Sequence, residues 1–175
     1  MRTAALIVLL TVPAWHLALA APGNGFGLAG GPTAHSVRLT FLDGTSQRYT
    51  SAGLGVTGDA QFVVNERWSL DSFLSLTLER SHGDVTATIS NGMAGFQVRR
   101  WFGQFFMGAH LGEYTELLRD ATHAQTVYGP GMGAAVGQER PDGLIWSAQL
   151  DLPRKLIAPG EVRVGLLLQV GWRWY

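Results

Sequence analysis

The side chains best suited to nucleophilic or acid–base chemistry in this chain are histidines and serines, because the chain contains no cysteine. Beyond the first twenty residues the histidines are His35, His82, His110 and His123. Ser81 precedes His82 in a short polar segment, but a hydrolytic site would also need an aligned carboxylate. We interpret His82 and His123 as solvated loop residues, and we predict no catalytic residues.

Sites for metals and nucleotides are equally poorly supported. No cluster of His, Asp and Glu has the spacing of a metal site. The glycines between positions 25 and 30 do not open a helix after a strand, as a nucleotide-binding loop would. Net charge is zero and no basic block occurs. We therefore expect no cofactor, no metal and no nucleic-acid partner.

A second set of ionisable residues falls on the polar face of segments whose apolar and polar residues alternate. Its members are Arg38, Asp59, Asp71, Glu79, His110, Asp151, Arg163 and Arg173. If that face is enclosed, buried arginines and carboxylates must pair, because unpaired buried charge is costly. We interpret the set as a polar network that serves the fold, with an ion path or gate as the functional alternative.

Alternation of this kind predicts β-strands, in which successive side chains point to opposite faces. In the segment 68–79, the even positions include Trp68, Leu70 and Leu74, and the odd positions include Asp71 and Glu79. The pattern predicts eight strands: 24–42, 47–64, 68–80, 85–99, 103–117, 125–137, 144–152 and 161–174. Short polar segments and turn signals, such as Asp43-Gly44, separate them.

Two predicted strands are irregular. In the first, the apolar face changes phase around Gly30-Gly31-Pro32, which predicts a bulge or a strand that begins after Pro32. In the fourth, the apolar phase changes at Asn91-Gly92, which predicts a bulge or a hairpin turn. The sequence alone therefore does not decide which side chains of these two strands share one face.

The first twenty residues are typical of a signal peptide. Arg2 is followed by the apolar run "AALIVLLTVPAW", and Ala18-Leu19-Ala20 forms a cleavage site. We predict a signal peptide over 1–20 and a single domain over 21–175. No later run is apolar enough for a transmembrane helix, which leaves a soluble β-sandwich or a transmembrane β-barrel.

Long apolar faces and the placement of tryptophan favour the barrel. Up-and-down numbering of the strands places every tryptophan of the predicted domain at one end: Trp68, Trp101, Trp146, Trp172 and Trp174. Aromatic residues concentrate at the membrane interface of such barrels, whereas a sandwich gives no reason for this clustering. The sequence predicts an all-β, eight-stranded antiparallel up-and-down transmembrane β-barrel with these tryptophans at the interface.

The last strand ends in "VGWRW", which resembles the closing-strand signal of bacterial outer-membrane barrels, with one additional residue, Tyr175. The chain resembles the small eight-stranded family of outer-membrane protein X and the barrel domain of outer-membrane protein A. The resemblance implies location in the bacterial outer membrane, contact with outer-membrane lipids and lipopolysaccharide, and a monomeric state. It also implies recognition of Val170, Trp172 and Trp174 by the barrel-assembly machinery.

The resemblance implies a non-enzymatic structural role, in envelope integrity or surface interaction. Two alternatives stay open: a lipid A-modifying enzyme with the same fold, although the His-x-Ser pattern of lipid A deacylases is absent, and a narrow channel. An eight-stranded interior is wide enough only for side chains or one small ligand. Large residues are expected to fill the space beside the glycine-rich sixth strand.

Overall fold

The computed structural model describes residues 23–40, 46–82, 87–119, 124–153 and 162–175. These residues form eight β-strands in chain order: β1 (Gly25–Thr40), β2 (Ser46–Asn65), β3 (Trp68–His82), β4 (Thr88–Phe102), β5 (Phe105–Arg119), β6 (Ala124–Glu139), β7 (Leu144–Pro153) and β8 (Val162–Trp174). No helix in this part of the chain is long and apolar enough to span a membrane.

The eight strands form a closed antiparallel barrel in which each strand pairs with its sequence neighbours and β8 pairs with β1. The closing pair joins Phe26 to Trp174 and continues to Arg38 and Val162. The up-and-down barrel predicted from the alternation is confirmed. Closure satisfies the backbone groups of both edge strands, which is required in lipid, where water cannot satisfy them.

Along each strand, the alternating apolar and polar side chains face the outer surface and the interior of the barrel in turn. On β3, Leu74, Leu76 and Leu78 are half exposed or more on the outer surface, whereas Asp71 and Glu79 are buried inside. Most exposed residues of the strand centres are large and apolar, while the interior contains most of the buried polar and charged groups. This inversion of a soluble protein is the expected arrangement for a barrel surrounded by lipid.

The two irregular strands are in fact regular. β1 pairs with β2 residue by residue from Gly25 to Thr40, so the predicted bulge at Gly30-Gly31-Pro32 is wrong, as is a start after Pro32. β4 pairs with β3 without a shift across Asn91-Gly92, so neither a bulge nor a turn occurs there. The apparent phase change arises because Ile89, at the outer end of β4, is only 1% exposed and faces the interior.

Tight turns connect the strands at the end of the barrel that carries the C-terminus. Asn65 Oδ1 accepts a hydrogen bond of 2.9 Å from the Arg67 backbone N–H between β2 and β3. Gly103 (φ 66°) and Gly143 (φ 90°) adopt left-handed backbone conformations in the next two turns. The predicted strand boundaries placed the second turn at 100–102, but in the structure this turn follows Phe102. Short turns mark the periplasmic end of such barrels, so the opposite end faces outward.

Candidate functional site: the charged lumen

The half of the lumen nearer the C-terminus, called the inner half below, contains a chain of ion pairs that includes Arg173, the last arginine of the sequence. Arg173 of β8 donates from Nη2 to Asp59 Oδ2 at 2.6 Å, and from Nε to Glu139 Oε2 at 2.9 Å. Arg173 is 1% exposed and connects strands β2 and β6 on opposite sides of its own strand. One guanidinium thereby compensates two buried carboxylates.

Arg99 of β4 extends this chain across the lumen, and the sequence analysis did not include it in the network. Its Nη2 lies 3.3 Å from Asp59 Oδ2, and its Nε lies 2.6 Å from Asp71 Oδ2. The contact with Asp71, which is 0% exposed, is an ion pair rather than an aligned hydrogen bond. We call the set of Glu139, Arg173, Asp59, Arg99 and Asp71 the inner network.

Arg99 was missed because the predicted strand ended at this residue, next to an expected turn. The signal was nevertheless present: Gln97 and Arg99 alternate with Phe96 and Val98. Phe96 and Val98 are 64% and 46% exposed, while Gln97 and Arg99 are buried. Arg99 also donates to Gln97 Oε1 at 2.9 Å, so the two inward residues stabilise each other.

A separate cluster surrounds Glu79 in the outer half of the lumen. Thr33 Oγ1 donates to Glu79 Oε1 at 2.7 Å, and Ser51 Oγ donates to Oε2 at 2.5 Å. His35 Nδ1 lies 2.5 Å from Oε1. All four side chains are buried, and we call them the outer cluster. Three partners from β1 and β2 thus stabilise the Glu79 carboxylate of β3.

His110 and Asp151 form a third pair at mid-height. His110 Nε2 lies 2.8 Å from Asp151 Oδ1, which also accepts a hydrogen bond of 2.9 Å from Gln149 Nε2. The Phe73 ring contacts the His110 ring edge-on, with centroids 5.4 Å apart. The imidazole is therefore held between a carboxylate and an aromatic ring.

Ring side chains of β5 fill the space beside the glycines of β6. A Cβ atom at Gly133 would lie 2.4 Å from His110 Nε2, and one at Gly137 would lie 2.6 Å from Phe106 Cζ. The expected filling is therefore present at these positions. A cavity of about 30 Å³ remains, lined in part by Asp59, Arg99 and Arg173. That volume is roughly sufficient for one water molecule.

Four of the five interface tryptophans lie on the outer surface at the inner rim. Trp68, Trp172 and Trp174 are 41%, 41% and 55% exposed, and Trp146 is partly exposed. The prediction for Trp101 is wrong: it is 4% exposed and lies inside the barrel. Because β4 continues to Phe102, position 101 faces inward, where its Nε1 donates to Ser69 Oγ at 3.0 Å.

Tyr175, the residue beyond the closing-strand pattern, contacts the inner network. Its hydroxyl donates a hydrogen bond to Glu139 Oε1, and its ring lies against Gly23. Partial burial, together with the hydrogen bond to the Glu139 carboxylate, raises the pKa of the phenol above its ordinary value. The end of the chain thereby contacts both β6 and the residues just before β1.

The remaining predicted positions lie outside the described side chains. Arg38 and Arg163 belong to β1 and β8, but their side chains are not described. The same holds for the side chain of His82, and His123 lies outside the described residues. Within the described part of the chain, no group of three or more His, Asp or Glu residues is arranged to hold a metal ion.

No family model and no curated protein sequence matches the chain. Several solved structures match its fold. The attachment invasion locus protein Ail of Yersinia pestis, solved with the heparin analogue sucrose octasulfate, is 11% identical with a TM-score of 0.62, over 86% of this chain and 99% of that one. OprG of Pseudomonas aeruginosa is 12% identical with a TM-score of 0.57, over 87% and 96%. Neisserial surface protein A is 14% identical with a TM-score of 0.56, over 87% and 98%.

At these identities the likeness concerns the fold. The barrel closure, the apolar outer surface and the shared architecture together define the class: a small eight-stranded outer-membrane β-barrel protein of the bacterial envelope. The resemblance to the outer-membrane protein X and A type is confirmed at the level of architecture.

Proposed function

We propose that the protein is a non-enzymatic outer-membrane barrel with a structural role, in envelope integrity or surface interaction. The filled lumen is the observation that supports this role. Within the part of the chain that the structure describes, the inner network and the packed Phe106 ring surround a cavity of about 30 Å³. A barrel filled in this way acts through its stability and outer surface rather than by passing solutes.

Gene deletion tests the envelope role. Loss of the protein is expected to increase sensitivity to detergents and to large antibiotics, and expression of the wild-type chain should restore resistance. Unchanged sensitivity, together with unchanged adhesion to surfaces and host components, would contradict both parts of the proposal. Reconstitution into planar bilayers is expected to give no conductance steps, whereas reproducible steps would favour a narrow channel.

A lipid A-modifying enzyme is the second candidate, because Ser51, His35 and Glu79 converge in the outer cluster. Their connections differ from those of a hydrolytic triad, in which serine is hydrogen-bonded to histidine. Here Ser51 donates to Glu79, the same carboxylate that His35 contacts. We expect lipid A from cells that express the wild type and Ser51→Ala to have identical masses. A mass difference dependent on Ser51 would establish the enzyme.

Further proposals concern processing, assembly and partners. We propose that residues 1–20 are removed as a signal peptide, which N-terminal sequencing of exported protein tests. We also propose a monomer in contact with outer-membrane lipids and lipopolysaccharide, which mass measurement in detergent tests for oligomeric state.

The closing strand is proposed as the signal for the barrel-assembly machinery. Val170, Trp172 and Trp174 share the lipid-facing side of β8 and are each at least 41% exposed. Alanine at both Trp172 and Trp174 should lower the amount of folded protein in the membrane, while Trp146→Ala, on the neighbouring strand, should lower it less. Equal yields from both variants would contradict a specific signal.

A further inference from the structure

A groove crosses the lipid-facing surface of β3, β4 and β5 on the outward half of the barrel. Gly92 and Ala94 form its floor, and Leu74, Leu76 and Leu117 contribute to its walls. It encloses about 470 Å³. A Cβ atom at Gly92 would contact only Leu76 Cδ2, at 3.4 Å, so the missing side chain leaves the floor open.

Two arginines lie side by side at the outward end of this groove. Arg80 of β3 pairs with Thr88 of β4, and Thr88 pairs in turn with Arg119 of β5. All three residues are exposed. Each shares the lipid-facing phase of the groove residues on its own strand. With strands about 4.8 Å apart, the two arginine Cα atoms are separated by about 10 Å, so both guanidinium groups can reach one phosphate.

The depth of the groove places it in the outer leaflet. Thr88 lies six residues outward from Ala94, which corresponds to about 20 Å along the strand and about 15 Å along the membrane normal at a tilt near 40°. The apolar band of such barrels is about 25 Å tall. Ala94 is also six residues from Arg100, which pairs with Trp68 at the inner rim, so Ala94 lies near the middle of the band. The groove therefore extends outward from the middle of the band, and the two arginines lie at the level of the outer lipid headgroups.

We infer that Arg80, Arg119 and this groove form a binding site for one phosphorylated, acylated lipid of the outer leaflet, of the lipid A class. A phosphate binds between the two guanidinium groups, and one acyl chain lies over Gly92. Clusters of basic side chains at a membrane surface bind anionic headgroups in this way. The inference rests on the proposed contact with lipopolysaccharide, to which it gives a specific site, and on the outward orientation of this end; it does not depend on the structural role.

A second copy of the chain is a poorer occupant, because of Glu113. This residue is exposed, lines the groove, and lies opposite Ala94. Two barrels inserted in the same direction can form a closed dimer only about an axis parallel to the membrane normal. That axis would bring the two Glu113 carboxylates to the same depth in a low-dielectric interface, where like charges repel.

Native mass spectrometry of the full barrel in nanodiscs tests the site, with purified lipid A as the probe. Arg80→Ala/Arg119→Ala removes the phosphate contacts, and Gly92→Leu fills the groove. The matched controls are Arg100→Ala, which removes an exposed lipid-facing arginine at the other rim, and Gly58→Leu. Gly58 is also lipid-facing, and a Cβ atom there would contact only Gly27 O, at 3.9 Å. Circular dichroism verifies that each variant is folded.

The wild type should retain one lipid A molecule. The double arginine variant should bind about thirtyfold more weakly, since each basic side chain strengthens binding to anionic lipid about fivefold. Gly92→Leu should also weaken binding, and both controls should match the wild type. Equal binding of dephosphorylated lipid A or of phosphatidylglycerol, equal losses in the controls, or a dimer in place of the lipid would overturn the inference. A folded barrel that binds no lipid A overturns this site alone, whereas unchanged envelope sensitivity and adhesion in the deletion strain would overturn the proposed function.

Discussion

Arg173 is the side chain on which the inner network depends most. It is hydrogen-bonded to Asp59 and Glu139, which belong to strands far apart in sequence, and it is almost completely buried. Taking charges out of water is costly unless each retains its partner. The consequence of losing Arg173 is therefore larger than the loss of two hydrogen bonds, since two carboxylates would remain buried with less compensation.

We expect Arg173→Gln to lower the free energy of unfolding by about 3–5 kcal/mol, the usual effect of removing one partner of a buried ion pair. Urea unfolding of the barrel in lipid vesicles, followed by tryptophan fluorescence, measures the change. Arg140→Gln is the control, because the Arg140 side chain is 54% exposed and pairs with Asp142 at a turn. Its effect should stay within about 0.5 kcal/mol. Equal losses in both variants would mean that the inner network is energetically unimportant.

Glu79 is the corresponding residue of the outer half. Glutamine has nearly the same size as glutamate, but it replaces one carboxylate oxygen with an NH2 group. That group cannot accept the hydrogen bond that Thr33 or Ser51 donates. We expect Glu79→Gln to cost about 1–3 kcal/mol, the penalty for buried polar groups that lose a partner. The same unfolding experiment measures it, with Glu66→Gln in an exposed turn as control. A neutral result at Glu79 would show that the outer cluster tolerates a neutral centre.

At the scale of strands and turns, Gly103 is the residue that sets the boundary between β4 and β5. Its φ of 66° is a conformation in which a Cβ atom is strained. Gly103→Ala should destabilise the barrel by about 1–2 kcal/mol. Gly92→Ala is the control, since its backbone is extended and a Cβ atom there meets only an ordinary contact. A smaller loss at Gly103 than at Gly92 would contradict this role of the turn.

The inward position of Trp101 makes a second prediction for the same strand. Variants that retain a single tryptophan, with the others changed to phenylalanine, can be reconstituted in brominated lipid. Fluorescence of Trp172 or Trp174 should be quenched strongly, and fluorescence of Trp101 weakly, because Ser69 and Phe106 enclose its ring. Strong quenching of Trp101 would place it on the lipid side, as the sequence alone suggested.

Trp101 also illustrates what could be predicted from the sequence and what could not. Alternation predicts strands because one face contacts lipid, and β3 and β8 show this clearly. Position 101 depends instead on where the turn falls, because a shift of one residue reverses which side of the barrel a residue faces. Arg99 was missed at the same boundary. The pairing between Arg99, Asp59 and Arg173 depends on register across three strands, which a single sequence does not specify.

At the scale of the whole molecule, the barrel combines an apolar exterior with a charged interior. Leu54, Phe62 and Leu111 are each at least 59% exposed, while Asp71, Glu79 and Arg173 are at most 2% exposed. Exposed apolar surface of this extent would cause aggregation in water. The same surface is stable in contact with lipid hydrocarbon chains. Strand pairing that continues to Trp174 leaves no open sheet edge among the described strands. The folded barrel should therefore be stable only in a membrane or in a detergent micelle that covers the same apolar surface.

The most direct test of this account is folding of the chain 21–175 with and without lipid. The account predicts sheet-rich circular dichroism and a mobility shift on boiling only when lipid vesicles or detergent micelles are present, with aggregation in plain buffer. A folded, soluble monomer in buffer without any membrane mimic would contradict the outer-membrane barrel, the interface tryptophans and the lipid site together.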